Sequence, residues 1–221
     1  MRIGLFGGTF DPIHIGHLRA ALEVKHGFDL DQIVIIPAAL PPHKKRGRVT
    51  DASDRLKMVE LGVSGCSGFR VSDVELQRAG PSYSIDTINH FKASSDQDTE
   101  IFFISGLDAF LEIDTWKSYR DLLRQMAFIV IARPILDGSD ISLRWKRLED
   151  FIKAKISADY EFSDTPACFI NANTKPIYIF DVASLDISST RIRELVKTGQ
   201  PITYLVPETV ENYVKNRGLY L

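Results

Sequence analysis

The sequence predicts an α/β fold, a doubly wound and mostly parallel sheet with helices on both faces. Three observations predict it. Short, continuously apolar runs recur at Ile33–Ile36, Ile101–Ile104, Phe128–Ala132 and Ile177–Phe180, as suits strands buried on both faces of a parallel sheet. Between them lie segments with apolar residues at helical spacing, the first being Ile15, Leu18, Ala21 and Leu22. That alternation reads as successive βα units. The first strand meets the first helix through the pair Gly7-Gly8, at the kind of place where such sheets bind ligands, outside the carboxyl ends of their strands.

Composition bounds the rest. The chain has 221 residues, 44% hydrophobic and 25% charged, which fits a single domain over residues 1–221 with a sizeable core. A net charge of −2 gives no general attraction to nucleic acid or an anionic membrane, so phosphate binding would need a local cluster. No run approaches a membrane span. The apolar stretch after Arg2 is broken at Gly4 and Gly7, too short for a signal peptide. Cys66 and Cys168 lack a zinc or C-x-x-C spacing and read as reduced thiols. The expectation is a cytoplasmic protein without nucleic-acid or membrane partners. A homo-oligomer is left open.

The elements follow in order. Ile3, Leu5 and Phe6 form the first strand, which Gly7 and Gly8 end, and Thr9-Phe10-Asp11-Pro12 makes a turn. A helix runs from about Ile13 to His26-Gly27, with Gly27 expected as its left-handed cap. Two glycines let backbone N–H groups approach a phosphate, and the helix adds its positive end. His14 and His17 are three apart, share one face, and have Gly16 between them. They suit donors aimed at phosphate oxygens. An H-x-x-H pair can also hold a metal, but a third ligand at a zinc spacing is lacking.

Asp31–Ile36 gives the second strand. The loop Pro41–Arg48 carries five potentially cationic groups in eight positions, either a solvated basic loop or one that faces phosphates. Thr50–Ser53 starts a helix to about Val63, with Leu56, Val59 and Leu61 among its apolar positions. Phe69–Val74 is the third strand. Ser82 or Ser84 is expected to cap the next helix, with Asp86 in its first turn. Glu100–Ser105 is the fourth strand. Gly106 and Asp108 follow at its turn, where a carboxylate can accept from ribose hydroxyls or cap a helix. Trp116 sits among Asp114, Thr115 and Lys117, a polar setting suited to stacking on a flat ring.

Gln125–Arg133 is the fifth strand. Ile141, Trp145, Leu148, Ile152 and Ile156 then form one stripe at helical spacing, expected to pack on the domain edge or a partner subunit, away from chemistry. Ser157–Lys175 reads as irregular and polar. These make an extra segment of about residues 137–175. Ile177–Phe180 returns as a strand. Ile187-Ser188-Ser189-Thr190-Arg191-Ile192-Arg193 then opens a helix to Lys197. Its hydroxyls, N–H groups and two arginines read as an anion site or as a polar cap. Pro207–Arg217 is the last helix, ending at Gly218.

Two stretches, Gly7–His17 and Ile187–Arg193, resemble the paired signatures of the HxGH nucleotidyltransferases. The resemblance covers most of residues 1–134 and 176–221 and implies a Rossmann-like sheet. It implies transfer of AMP from ATP, with Mg²⁺ carried mainly by substrate phosphates and water. The residues it assigns to catalysis are His14, His17, Lys44 and Arg193; Lys44 stands in a Pro-Pro-His-Lys segment that faces the phosphates in the family. For ATP it implies Gly7, Gly8, Thr9, Phe10, His14, His17, Gly106, Asp108, Ile187, Ser188, Ser189, Thr190 and Arg193. The segments Gly80–Thr87 and Gly106-x-Asp108…Trp116 resemble the branch whose acceptor is nicotinate mononucleotide, giving deamido-NAD and pyrophosphate in NAD synthesis. Lys44, Tyr83, Ser84, Thr87, Trp116 and Lys117 would surround that acceptor. Ser84 stands where the family has Thr. Sibling branches acting on nicotinamide mononucleotide or phosphopantetheine are alternatives. So are a nucleotide-binding module without chemistry and a metal-dependent hydrolase.

Overall fold

A computed structural model describes residues 1–40, 49–132 and 141–221, with backbone only at 141 and 142. Eight strands form one sheet: β1 (Arg2–Gly8), β2 (Gln32–Pro37), β3 (Phe69–Val71), β4 (Glu100–Gly106), β5 (Ala127–Ala132), β6 (Glu161–Asp164), β7 (Ala167–Ile170) and β8 (Ile177–Asp181). Their order across the sheet is β3-β2-β1-β4-β5-β8-β7-β6. The six strands from β3 to β8 are parallel, and β7 and β6 add an antiparallel hairpin. The order reverses between β1 and β4, so the carboxyl ends of these two strands frame the crevice where ligands enter such sheets.

The helices are α1 (Ile15–Gly27), α2 (Ala52–Val63), α3 (Ser84–Ser94), α4 (Leu107–Phe110), α5 (Tyr119–Gln125), α6 (Ile141–Phe151), α7 (Ser189–Lys197) and α8 (Glu208–Arg217). Alternate residues of each strand serve opposite layers, as the period of a strand requires. Leu5, Val34, Phe103 and Phe128 face a layer with Ile88 of α3 and Leu122 of α5. Phe6, Ile33, Ile104 and Ile129 face the other, with Val24 of α1, Met58 of α2, Ile192 of α7 and Val210 of α8. Among the described residues no helix is long and apolar enough to cross a membrane.

Several sequence expectations are corrected. Gly7 and Gly8 do not end β1; they continue its ladder opposite Ile36 and Pro37. Gly27 is not a left-handed cap. A Cβ there would lie 2.5 Å from Cζ of Phe180, so the ring demands the glycine, and Asp29 takes the positive φ of 46°. Strand β3 stops at Val71 because the chain turns at Asp73, whose carbonyl accepts from Leu76 and Gln77. Neither serine caps α3: its cap is Tyr83, without a side-chain hydrogen bond. Ser82 Oγ instead accepts the N–H groups of Ala39 (2.9 Å) and Leu40 (3.2 Å), tying the end of β2 to the start of α3.

The 137–175 segment differs most. Its polar half is not irregular but the β6–β7 hairpin, which buries Tyr160, Cys168 and Phe169 and extends the sheet beyond β8. The apolar stripe is used as expected in composition: Leu148 and Ile152 lie fully inside the core. Its last turn, at Ile152–Ile156, widens to π-helical spacing. The helix therefore packs on its own chain's core. Trp145 Nε1 reaches Asp181 Oδ2 (3.4 Å) at the carboxyl end of β8, the ligand side of the sheet. Its beginning, 137–140, lies outside the described residues, as does Arg133.

Candidate active site

The site grows from the β1–α1 turn. His14 caps α1: its Nδ1 accepts the N–H of His17, and Nδ1 of His17 accepts the N–H of His14, each at 3.3 Å. The two rings stack with centroids 3.6 Å apart. A neutral imidazole that accepts at Nδ1 carries its proton on Nε2. His14 is buried, and His17 stands edge-on to Phe10 with centroids 5.1 Å apart. Phe10, held at φ 49°, lies over Gly8, where a Cβ would meet its ring at 2.7 Å. The second glycine of the pair thus makes room for Phe10, whose side chain is packing rather than an exposed ligand surface.

The α7 motif meets this turn directly. Arg193 Nη1 donates to the carbonyl of Asp11 (2.7 Å), and Nη2 to Thr190 Oγ1 (3.2 Å). Ser189 Oγ donates to the carbonyl of Pro12 (2.9 Å). Ser188 is the cap of α7, its hydroxyl accepting from Arg191 N–H. Ser189 and Arg193 thus join the start of α7 to the turn that precedes α1, bringing two helix starts and a guanidinium together, an arrangement able to receive an anion. Ile187 is half-buried just before that cap.

Arg55 supports the turn from beneath. It is 1% exposed and donates to three main-chain carbonyls: Thr50 (2.8 Å), Thr9 (2.8 Å) and Ala39 (3.2 Å). Burial pushes its pKa down, and the nearby Asp11 carboxylate opposes the shift. The planar fork joins the ends of β1 and β2 to the start of α2, a geometry lysine does not offer.

Beside the turn opens a cleft of about 250 Å³. Gly7, Gly8, Thr9 and Gly106 line it, with Glu75, Tyr83, Ser84, Thr87, Trp116 and Lys117 among the other lining residues. Trp116 stands edge-on to Phe103, centroids 6.1 Å apart, which fixes the indole plane. Lys117 Nζ lies 4.6 Å from the Tyr83 ring centroid and 3.3 Å from Asp86 Oδ2. Thr87 is buried. Its hydroxyl donates to Glu75 Oε1 and accepts from Arg78, both at 2.6 Å, so that proton is committed to the cleft wall. The N–H groups of Ser84 and Ile85, at the positive end of α3, and of Lys117 donate to no acceptor among the described residues.

The structure thus groups Gly7, Gly8, Thr9, Gly106, Tyr83, Ser84, Thr87, Trp116 and Lys117 around one cleft. His14, His17 and the 187–193 motif stand at the neighbouring helix ends. Asp108 is exposed in α4 and does not line the cleft. Lys44 and its basic loop lie outside the described residues. Sequence reasoning missed Glu75, Arg55 and the structural role of Asp11, and gave Ser82 a different role. Arg55 did leave a signal: it shares a helix face with Met58, Val59 and Gly62, all buried, and a charge on an apolar face must find partners.

Comparison with known proteins now defines the class. The cytidylyltransferase-like family model matches residues 5–195. A probable nicotinate-nucleotide adenylyltransferase of Desulfatibacillum aliphaticivorans is 45% identical over 223 residues, covering 100% of both chains. One from Geobacter sp. strain M21 is 42% identical, covering 100% of this chain and 99% of the relative. The nicotinic acid mononucleotide adenylyltransferase of Plasmodium falciparum, complexed with NaAD, shares the fold at TM-score 0.71 and 18% identity. The match covers 99% of this chain and 97% of that one. The chain belongs to the nicotinate-nucleotide adenylyltransferase family within the cytidylyltransferase-like class.

Proposed function

We propose that the chain transfers AMP from ATP to nicotinate mononucleotide, giving deamido-NAD and pyrophosphate. One observation carries the reading. Arg193, anchored on the Asp11 carbonyl, brings the start of α7 against the β1–α1 turn, beside a cleft walled by Trp116 and the positive end of α3. This is a site for two phosphorylated molecules side by side, one of them bearing a flat ring. The family membership makes the same assignment for its named relatives.

The chemistry follows from charge. The acceptor's 5′-phosphate, with a second pKa of roughly 6, is already largely a dianion near neutral pH, so no general base is required. The protein aligns two anions and stabilises charge that grows on the α-phosphate and the departing pyrophosphate. His14 and His17 act as Nε2–H donors, Arg193 and Lys44 as counter-charges, and Gly7, Gly8, Thr9 and the start of α7 as backbone and hydroxyl donors to ATP. Asp108 and Gly106 are assigned to the ribose side of ATP. Mg²⁺ would enter with the triphosphate and offset its charge. Such an ion would keep substrate phosphates and water as its main ligands.

In the acceptor cleft, Trp116 covers the pyridine ring and Lys117 and Tyr83 flank it. The N–H groups of Ser84, Ile85 and Lys117 face the ring's carboxylate. The test is pyrophosphate release from ATP with and without the mononucleotide. Release only with both substrates supports transfer. Release from ATP alone would indicate a hydrolase, and binding without release a non-catalytic module.

A further inference from the structure

We propose that Tyr220 is a positioning residue for this reaction, acting through the Asp11 carboxylate on Arg193. The inference rests on the adenylyl-transfer reading. After α8, Gly218 takes a left-handed φ of 61° and Leu219 N–H returns to the carbonyl of Val214. Tyr220 is itself left-handed, at φ 69°, an uncommon conformation for an aromatic residue. The result is a phenol directed back into the molecule. Its hydroxyl donates to Asp11 Oδ1 at 2.8 Å, 209 residues away in sequence, and lies 3.8 Å from Met58 Sδ.

Asp11 is 2% exposed and sits between the glycine pair and His14. Its carboxylate has two described donors, Tyr220 at Oδ1 and the Thr50 N–H at Oδ2 (3.3 Å). Arg193 Nη1 is bonded to the Asp11 carbonyl at 2.7 Å but stands 4.0 Å from Oδ2. The guanidinium is therefore held on a neutral oxygen, with the carboxylate kept just beyond hydrogen-bond reach. Asp11 thus pairs with Arg193 only at long range, 4.0 Å, without a hydrogen bond, and the guanidinium keeps N–H groups for an incoming phosphate. Burial and the Asp11 charge push the Tyr220 phenol far above its ordinary pKa, so it remains a donor throughout the working pH range.

Without the phenol proton, Oδ1 has lost its donor in a buried place. Arg55, the other cation near Asp11, is committed to three main-chain carbonyls, so the carboxylate turns onto Arg193 as a charge-assisted pair. Arg193 is thereby taken from ATP. The residue acts only through Asp11 and Arg193 and touches none of the acceptor cleft.

The test is a double-mutant cycle with Tyr220→Phe and Arg193→Ala, measuring KM for each substrate and kcat. Tyr220→Phe is expected to raise the KM for ATP about tenfold, of the order seen for coupled charged partners, with the acceptor KM changed less than about twofold. In the Arg193→Ala background, Tyr220→Phe is expected to add less than about twofold. If Tyr220→Phe is less stable, ATP binding is measured by calorimetry at a temperature where circular dichroism shows it folded, and a roughly tenfold rise in Kd is again expected. Wild-type kinetics in Tyr220→Phe, or full additivity in the cycle, overturns the proposal. So does a parallel rise of both KM values. Absence of adenylyl transfer by the wild-type chain would instead overturn the reading beneath it.

Discussion

His14 and His17 cap each other, each ring accepting the other's main-chain N–H at 3.3 Å while the two stack 3.6 Å apart. The pairing fixes both Nδ1 atoms and so fixes which nitrogen can donate. One structural device thus sets helix entry and donor direction together.

Replacing either histidine therefore has two effects. His17→Ala and His14→Ala are expected to lower kcat about 10²–10³-fold, the usual loss for one charge-stabilising donor, with little change in acceptor binding. Each should also cost about 1 kcal/mol of stability through the lost cap. Steady-state kinetics and urea unfolding read the two effects separately. Wild-type turnover in either variant would remove the histidines from the chemistry.

Arg193→Ala is expected to weaken ATP binding more than acceptor binding. Arg193→Lys should not restore it, because one ammonium cannot hold the Asp11 carbonyl and Thr190 and still present a fork to phosphate. Calorimetric titration with ATP decides this. An unchanged Kd in the alanine variant would return residues 187–193 to the role of a helix cap.

Arg55→Met is expected to destabilise the fold by about 2–4 kcal/mol. It strips donors from three main-chain carbonyls in a buried place. Arg55→Lys should recover only part of the loss. Denaturant midpoints are the readout, and a midpoint within error of wild type would mean that Arg55 is not the tie beneath the turn.

Trp145→Ala is expected to lower stability by about 2 kcal/mol, since the indole packs on the core and reaches Asp181. Turnover should hold. Lost activity at unchanged stability would instead give α6 a part in the reaction.

Much of this was legible in the sequence, for physical reasons that differ by element. Buried parallel strands announce themselves because both faces must be apolar, and β2, β4 and β5 do so. The starts of α1 and α7 were legible as helix starts, because glycines and hydroxyl residues mark such places, and Ser188 does cap α7. The β6–β7 hairpin was not legible, because β6 is largely exposed and the buried Tyr160, Cys168 and Phe169 are too few and too unevenly spaced to show a period. Gly27 misled because a glycine near a helix end ordinarily signals a left-handed cap, while the need for it came from Phe180, far off in the chain. Ser82 misled similarly: it binds the end of β2, a partner 42 and 43 residues away that local reading does not reveal. The Asp11–Tyr220 contact spans nearly the whole chain and left no local trace.

The central claim is most directly tested by acid against amide. Nicotinate presents only acceptors, whereas nicotinamide presents an NH₂ donor. In the proposed pose the N–H groups of Ser84, Ile85 and Lys117, which have no acceptor among the described residues, offer only donors to that position. Mismatched buried donors cost on the order of 1–3 kcal/mol each, so two favour the acid by roughly a hundredfold or more. Trp116→Ala should raise the KM for the acid mononucleotide through loss of the ring cover. Competition kinetics with the two mononucleotides are expected to give the acid a kcat/KM at least about a hundredfold higher. Equal kcat/KM values, or a preference for the amide, would contradict the account.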